Sequence, residues 1–197
     1  MSRSSTRAVR AVAGLMLVAL PTLALSSSGC VEAESRFFVA SFCPPITAES
    51  TECEFQVIDV GVYLDECNPA TGECPGGRLA ALLVNNMQSS EGLVNNNDVE
   101  TGDIIVTGYD VRLNNGLGGE ETFIFNAYAT IPAESFEGLL INFQVIPVGG
   151  AARDLLDDVN SSADPVAGFA GVRFYGRTTG GLEVETPEAF LPVTFFP

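Results

Sequence analysis

The chain has 197 residues and a formal net charge of −16, from 25 acidic against nine basic side chains, with no histidine. All nine cations are arginine, and tryptophan is absent as well. Without His there is no Ser-His-Asp triad, Cys-His pair, His-based zinc site or HExxH helix. Without Lys there is no P-loop or Schiff base, and nine cations among 25 acids make no footprint for nucleic acid.

The first element is an address. Residues 1–29 carry Arg3, Arg7 and Arg10, then an apolar run from Ala11 to Leu25, then small residues up to Cys30. A bilayer-spanning helix needs roughly 20 apolar residues, so this shorter run reads as an export signal. The stretch Leu25 to Cys30 resembles a bacterial lipobox, in which a small residue precedes a cysteine that is lipidated and becomes the new N-terminus. Gly29 and Ser28 fit; Ser27 departs from the usual Leu. Ordinary cleavage after Ser26 is the alternative, and it would leave Cys30 a free thiol. The cysteine count favours lipidation: five is odd, and an exported chain with one thiol left over calls for a reason. Removing residues 1–29 takes three Arg and no acid, leaving six Arg against 25 acids, a net charge of −19.

Residues 30–77 form a cysteine-containing segment expected to pack on a sandwich core at 78–197. Cys43, Cys53, Cys67 and Cys74 are an even set that permits three pairings, of which the sequential one closes two short loops. Export into an oxidising space favours disulfides. A tetrathiolate zinc site normally shows C-x₂₋₄-C pairs, which these spacings lack.

Strand signals follow in order. Arg36 to Phe42 and Phe55 to Leu64 are candidates. Arg78 to Gln88 suits a helix or a strand. Ile105, Thr107, Tyr109, Val111 and Leu113 alternate against Asp110 and Arg112. Phe123, Phe125, Ala127, Ala129 and Ile131 alternate against Thr122, Asn126, Tyr128 and Thr130, the period of a half-buried strand. Leu139 to Pro147 repeats the pattern. Ala151 to Val159 reads as a short helix. Val172, Phe174 and Gly176 alternate with Arg173, Tyr175 and Arg177. Thr179-Gly180-Gly181 marks a hairpin tip before Leu182 to Phe196, which Pro187 and Pro192 reduce to an edge strand or two short pieces. The expected fold is all-β: an antiparallel β-sandwich of seven to eight strands, immunoglobulin-like or fibronectin III-like, with a jelly roll or small barrel as the alternative.

The acids carry the remaining chemistry. Asp98, Glu100 and Asp103 on one loop, and Asp154, Asp157 and Asp158 with Asp164 on another, are calcium candidates because calcium takes six to eight oxygen ligands. Neither cluster has the EF-hand spacing, and a solvated acidic loop explains both. Glu120 with Glu121, or Glu183 with Glu185, are the carboxylate pairs available to a hydrolase, and nothing singles them out. Arg173, Tyr175 and Arg177 on one strand face make the most ligand-like surface, against the plainer reading that they pair with Glu183 and Glu185 across the hairpin.

The lipobox-like start, Val57-Ile58-Asp59-Val60, Leu82-Leu83-Val84-Asn85, Tyr109-Asp110-Val111-Arg112-Leu113 and the run from Val172 to Thr186 resemble uncharacterised secreted lipoproteins of myxobacteria and related bacteria. Those relatives often end in a cysteine pair, whereas this chain ends Phe195-Phe196-Pro197. The resemblance implies an envelope lipoprotein and brings no activity with it. The expected function is therefore a non-enzymatic structural or interaction module of the bacterial cell envelope, an outer membrane lipoprotein facing the periplasm or the exterior. A lipid on Cys30 would hold it to the membrane, with a protein or glycan as partner. A calcium-assisted adhesion or glycan-binding module and a two-carboxylate hydrolase are the alternatives.

Overall fold

The computed structural model describes residues 36–48, 52–68, 70–71, 73–87, 102–147 and 152–197. They build a predominantly β domain of two sheets packed as a sandwich. In chain order the elements are β1 (Phe37–Cys43), β2 (Val60–Tyr63), β3 (Arg78–Asn85), β4 (Ile104–Asn114), β5 (Glu120–Ile131), β6 (Ser135–Gln144), α1 (Arg153–Asn160), β7 (Val166–Thr178), β8 (Glu183–Glu185) and β9 (Ala189–Phe196). One sheet has the order β1-β3-β6, the other β2-β9-β7-β4-β5, with β8 added to the C-terminal half of β7. The described strands number nine rather than seven or eight, because the last apolar run splits around Pro187 into β8 and β9. Nor is every pairing antiparallel: β2 runs parallel to β9, with Val60 opposite Val193. Among the described residues no helix is long and apolar enough to cross a membrane.

Burial explains the segment that periodicity left open. In β3 every residue from Leu79 to Asn85 is buried except the half-buried Leu82, and an apolar run covered on both faces loses its period of two. The cover comes partly from the chain beyond Cys43, which reaches across to β6. There the Ile46 N–H donates to Asn142 Oδ1 at 2.8 Å and Asn142 Nδ2 donates to the Ile46 carbonyl at 2.9 Å. The cysteine-bearing segment, expected to pack on the sandwich, is instead woven into it, with β1 in one sheet and β2 in the other. Its cysteines pair in sequence, Cys43 with Cys53 and Cys67 with Cys74. Loops of this length gain about 2–3 kcal/mol per bridge on a chain-entropy estimate.

In β4 the alternation changes phase. Ile104 and Val106 face the core, then Tyr109, Val111 and Leu113 do, because the register with both neighbours shifts between Val106 and Gly108. Ile105 and Thr107, expected inside, therefore stand on the outer side, as a bulge dictates. Gly108 is required there: a Cβ would lie 2.6 Å from the Phe125 carbonyl and from the Tyr175 ring.

The core is tied across the sheets by aromatic rings. Phe42 and Phe143 come from the smaller sheet, Tyr109, Phe125 and Phe174 from the larger. Tyr109 stacks on Phe125 at 4.8 Å between centroids and meets Phe174 at 5.4 Å and Phe143 at 6.0 Å. Its hydroxyl accepts the Gln144 N–H at 3.1 Å, so the one polar atom of the cluster is satisfied, and burial pushes the phenol pKa up. Asn85 is the polar counterpart. Fully buried at the end of β3, it donates through Nδ2 to the carbonyls of Gly102 and Ile131 and accepts the Met87 N–H.

The helix α1 closes one end. Leu155, Leu156 and Val159 are buried while Asp154, Asp157 and Asp158 face water, the two-sided pattern of a helix laid on a core. Asn115 fastens it: Nδ2 donates to the Leu155 carbonyl at 2.8 Å, and Oδ1 accepts the N–H groups of Leu117 and Gly119.

Candidate functional site

The outer face of the larger sheet carries the ion pairs of Arg112 and Arg173. Register fixes who meets whom: Asp110 of β4 lies opposite Arg173 of β7, and across the hairpin Tyr175 lies opposite Glu185 and Arg177 opposite Glu183. The three expected ligand-surface residues, Arg173, Tyr175 and Arg177, therefore do share a face, with both glutamates beside them.

Their states differ. Arg173 is committed to Asp110, with Nε to Oδ1 and Nη2 to Oδ2 both at 3.2 Å, and Glu185 stands 3.9 Å from Nη1. Asp110 is only 8% exposed, so this two-point pair neutralises a carboxylate that burial would otherwise penalise. The bond to Asp110 raises the Arg173 pKa. Tyr175 lies across Gly108 and donates its hydroxyl to the Phe125 carbonyl at 3.4 Å; burial, then the negative charge of Asp110, raises its pKa. Arg177 is exposed, and among the described residues no carboxylate lies within ion-pair distance of it. Together Thr107, Tyr175, Gly176, Arg177 and residues Glu183 to Glu185 line an open depression of about 620 Å³. Thr107 is in that wall only because the bulge turned it outward.

A second charged station on the same face was not expected from the sequence. Arg112 sends Nε and Nη2 to Glu188 at 2.8 and 2.9 Å and Nη1 to Glu120 at 3.1 Å. Its guanidinium lies 5.3 Å from the Phe169 ring centroid and 5.6 Å from that of Phe190, an Arg–aromatic arrangement that holds the planar group in place. Alternation along β4 does point Arg112 outward, but Glu188 follows Pro187 in a connection with no periodic signal.

No family model matches the chain, and neither a curated protein nor a solved structure is significantly similar to it.

The remaining candidates separate. Cys30, Asp98 and Glu100 lie outside the described residues. Asp103 is engaged in the fold, its Oδ1 accepting the Ala133 N–H at 2.9 Å and its carbonyl accepting the Thr179 N–H. Among the described residues no three acidic or cysteine side chains converge on a point that could hold a metal ion; Asp154, Asp157 and Asp158 stand exposed on α1. Of the carboxylate pairs, Glu120 is bound to Arg112 while Glu121, Glu183 and Glu185 are exposed.

Glu188 gives this face a pH dependence. The hydrogen bonds from Arg112 hold its pKa below the ordinary 4.5. A carboxyl depressed by folding contributes stability that is complete above its unfolded pKa and is lost as pH falls through the folded one. Glu188→Gln is therefore expected to lower the unfolding midpoint at pH 7 and to cost progressively less as pH falls below 4.5, the gap closing once Glu188 is protonated in the folded protein. Urea unfolding of both proteins across that range checks it; a gap that stays constant would show that the glutamate acts only by its shape.

Proposed function

We propose that this chain is an exported, lipid-anchored module of the bacterial cell envelope, attached to the membrane through Cys30 and acting as a structural or interaction domain. The observation that carries the reading is the cysteine account. All four described cysteines are consumed in two disulfides, which suits an oxidising compartment, and the fifth, Cys30, follows the apolar run after the small residues Ser26 to Gly29. Several acyl chains on one residue supply the two-signal attachment that one chain cannot, at about 0.8 kcal/mol per buried CH₂. This reading gives the domain no enzymatic step.

The finer fold reading is immunoglobulin-like. If β1, β3 and β6 are strands A, B and E, and β4, β5, β7 and β9 are C, C′, F and G, the order A-B-E against G-F-C-C′ follows the Greek-key pattern of that group. Tyr109 then occupies the strand-C position where such domains bury a large aromatic. Domains of this kind present edges and loops to partners rather than a deep cleft, which agrees with an interaction role.

A glycan-binding module is the second reading, and the depression beside Tyr175, Arg177 and the two glutamates favours it. Expression of the full chain with Cys30→Ala separates anchoring from the rest. The unsubstituted protein is expected in the membrane fraction and the variant in the soluble exported fraction; equal partition of the two would reject the anchor.

A further inference from the structure

Among the described residues, the least protected strand edge is the open edge of β5. The other edges are short, covered or interrupted. β2 has four residues and β8 three. The edge of β1 is covered by the loop that the Cys43–Cys53 bridge holds against it, where the Val57 N–H donates to the Phe42 carbonyl at 2.7 Å. In β6, Gly138 has a φ of +73° and Glu137 adds a charge. By contrast, β5 has 12 residues, and from Thr122 to Ile131 it contains no charge and no proline, in a chain of net charge −16. Among the described residues no backbone hydrogen bond from outside the sheet reaches it. A register shift opposite Thr107 adds twist midway, but the strand lacks the lysines, prolines and inward charges that usually guard such an edge. Two large side chains on its outer side, Ile124 at 75% and Tyr128 at 82% exposure, have no covering element among the described residues.

We propose that β5 pairs with β5 of a second copy, antiparallel about a two-fold axis at Asn126, joining the two larger sheets into one. The sequence of the strand selects both the partner and the register. Residues that face each other across an antiparallel pair lie on one face, so a two-fold axis must pass through a residue rather than between two. Centred on Asn126, every inner-face phenylalanine meets an alanine: Phe125 opposite Ala127 and Phe123 opposite Ala129. On the outer face Ile124 meets Tyr128 and Thr122 meets Thr130, the β-branched–aromatic and Thr–Thr pairs that stabilise sheets. Moving the axis to Phe125 sets that ring against its own copy, and moving it to Ala127 leaves a gap between two alanines. Charge agrees with the same register: Glu121 falls opposite Ile131 and Glu120 opposite Pro132, so no acid faces an acid. The Phe125 carbonyl turns toward the β4 side, where Tyr175 donates to it, and alternation leaves the peptide groups of Ile124 and Asn126 directed at the open edge.

The pairing is independent of the lipid on Cys30, so the two readings fail separately. Its test uses the exported, processed protein in sedimentation equilibrium and with a short bifunctional thiol reagent. A monomer–dimer equilibrium is expected, tightening as salt screens the repulsion between two strongly anionic copies. Asn126→Cys is expected to cross-link to itself efficiently and Thr130→Cys hardly at all, since residues 130 of the two copies would lie about 27 Å apart at 3.4 Å per residue. The unsubstituted protein controls for Cys30. Asn126→Asp, which changes one exposed side chain without altering its size, is expected to weaken the dimer several-fold at pH 7 and to restore it when the facing carboxyls are protonated. A protein that stays monomeric at every concentration and salt, equal cross-linking at both positions, or a dimer indifferent to Asn126→Asp would each overturn the proposal.

Discussion

Replacing Phe174 with alanine is expected to destabilise the domain by about 3–5 kcal/mol, the usual range for truncating a fully buried aromatic. Phe174 is 0% exposed, and its ring meets Tyr109 at 5.4 Å and Phe143 at 5.9 Å, so it holds strands of both sheets to one another. The surrounding rings cannot collapse into the space, because Tyr109 is pinned by the Gln144 N–H and by its stack on Phe125. The same truncation at Phe190, which is 60% exposed beside Arg112, serves as the control and is expected to cost less than about 1 kcal/mol. Urea unfolding of both variants measures the difference. Equal losses would mean that the aromatic cluster is not the centre of the core.

Asn85→Ala is the second large effect, about 3–5 kcal/mol, although it removes only a small polar side chain. The substitution strands two buried carbonyls, those of Gly102 and Ile131, and the Met87 N–H. Each buried polar group left without a partner costs about 1–3 kcal/mol. The loss is also topological. Asn85 ends a strand of the smaller sheet, while Ile131 ends β5 of the larger and Gly102 leads into β4, so this amide joins the two layers where no ladder can. Asn85→Asp, which keeps the acceptor and removes the donor, is expected to lose nearly as much because it also buries a charge. An alanine variant within 1 kcal/mol of the parent, as for a surface position, would contradict this role; the threshold is roughly the spread seen at such positions.

The two effects show which parts of the fold can be read from the chain. β5 and β7 are half-buried strands, and their alternating residues sit on the faces that the pattern assigns; Phe174 was legible as core for that reason. The short helix at 153–160 was legible for the same reason, with a period of 3.6 instead of two. β3 was not, because a strand covered on both faces has no period to detect. In β4 the pattern itself was sound but its phase slipped at the Gly108 bulge, and the error placed Ile105 and Thr107 inside. The pairing of four cysteines is left open by spacing even though the bridges join residues only 10 and 7 positions apart, and the role of Asn85 depends on carbonyls 17 and 46 residues away.

The candidate site followed the same rule. Arg173, Tyr175, Arg177, Glu183 and Glu185 could be grouped from the sequence because a hairpin makes their neighbourhood local. Asp110 and Glu188 were missed as partners because they arrive from β4 and from the connection after Pro187. Their presence changes the chemistry of the face, since Arg173 and Arg112 are both engaged in ion pairs and Arg177 is left as the cation that borders the depression.

The central claim is that the chain reaches the envelope by export and is held there through its first mature residue. Intact and peptide mass spectrometry of the protein purified from its own membrane tests that claim most directly. The account predicts an N-terminus at Cys30 bearing acyl mass, with Cys43–Cys53 and Cys67–Cys74 both oxidised. An unmodified N-terminus at Ser27 with a free thiol on Cys30 would contradict it.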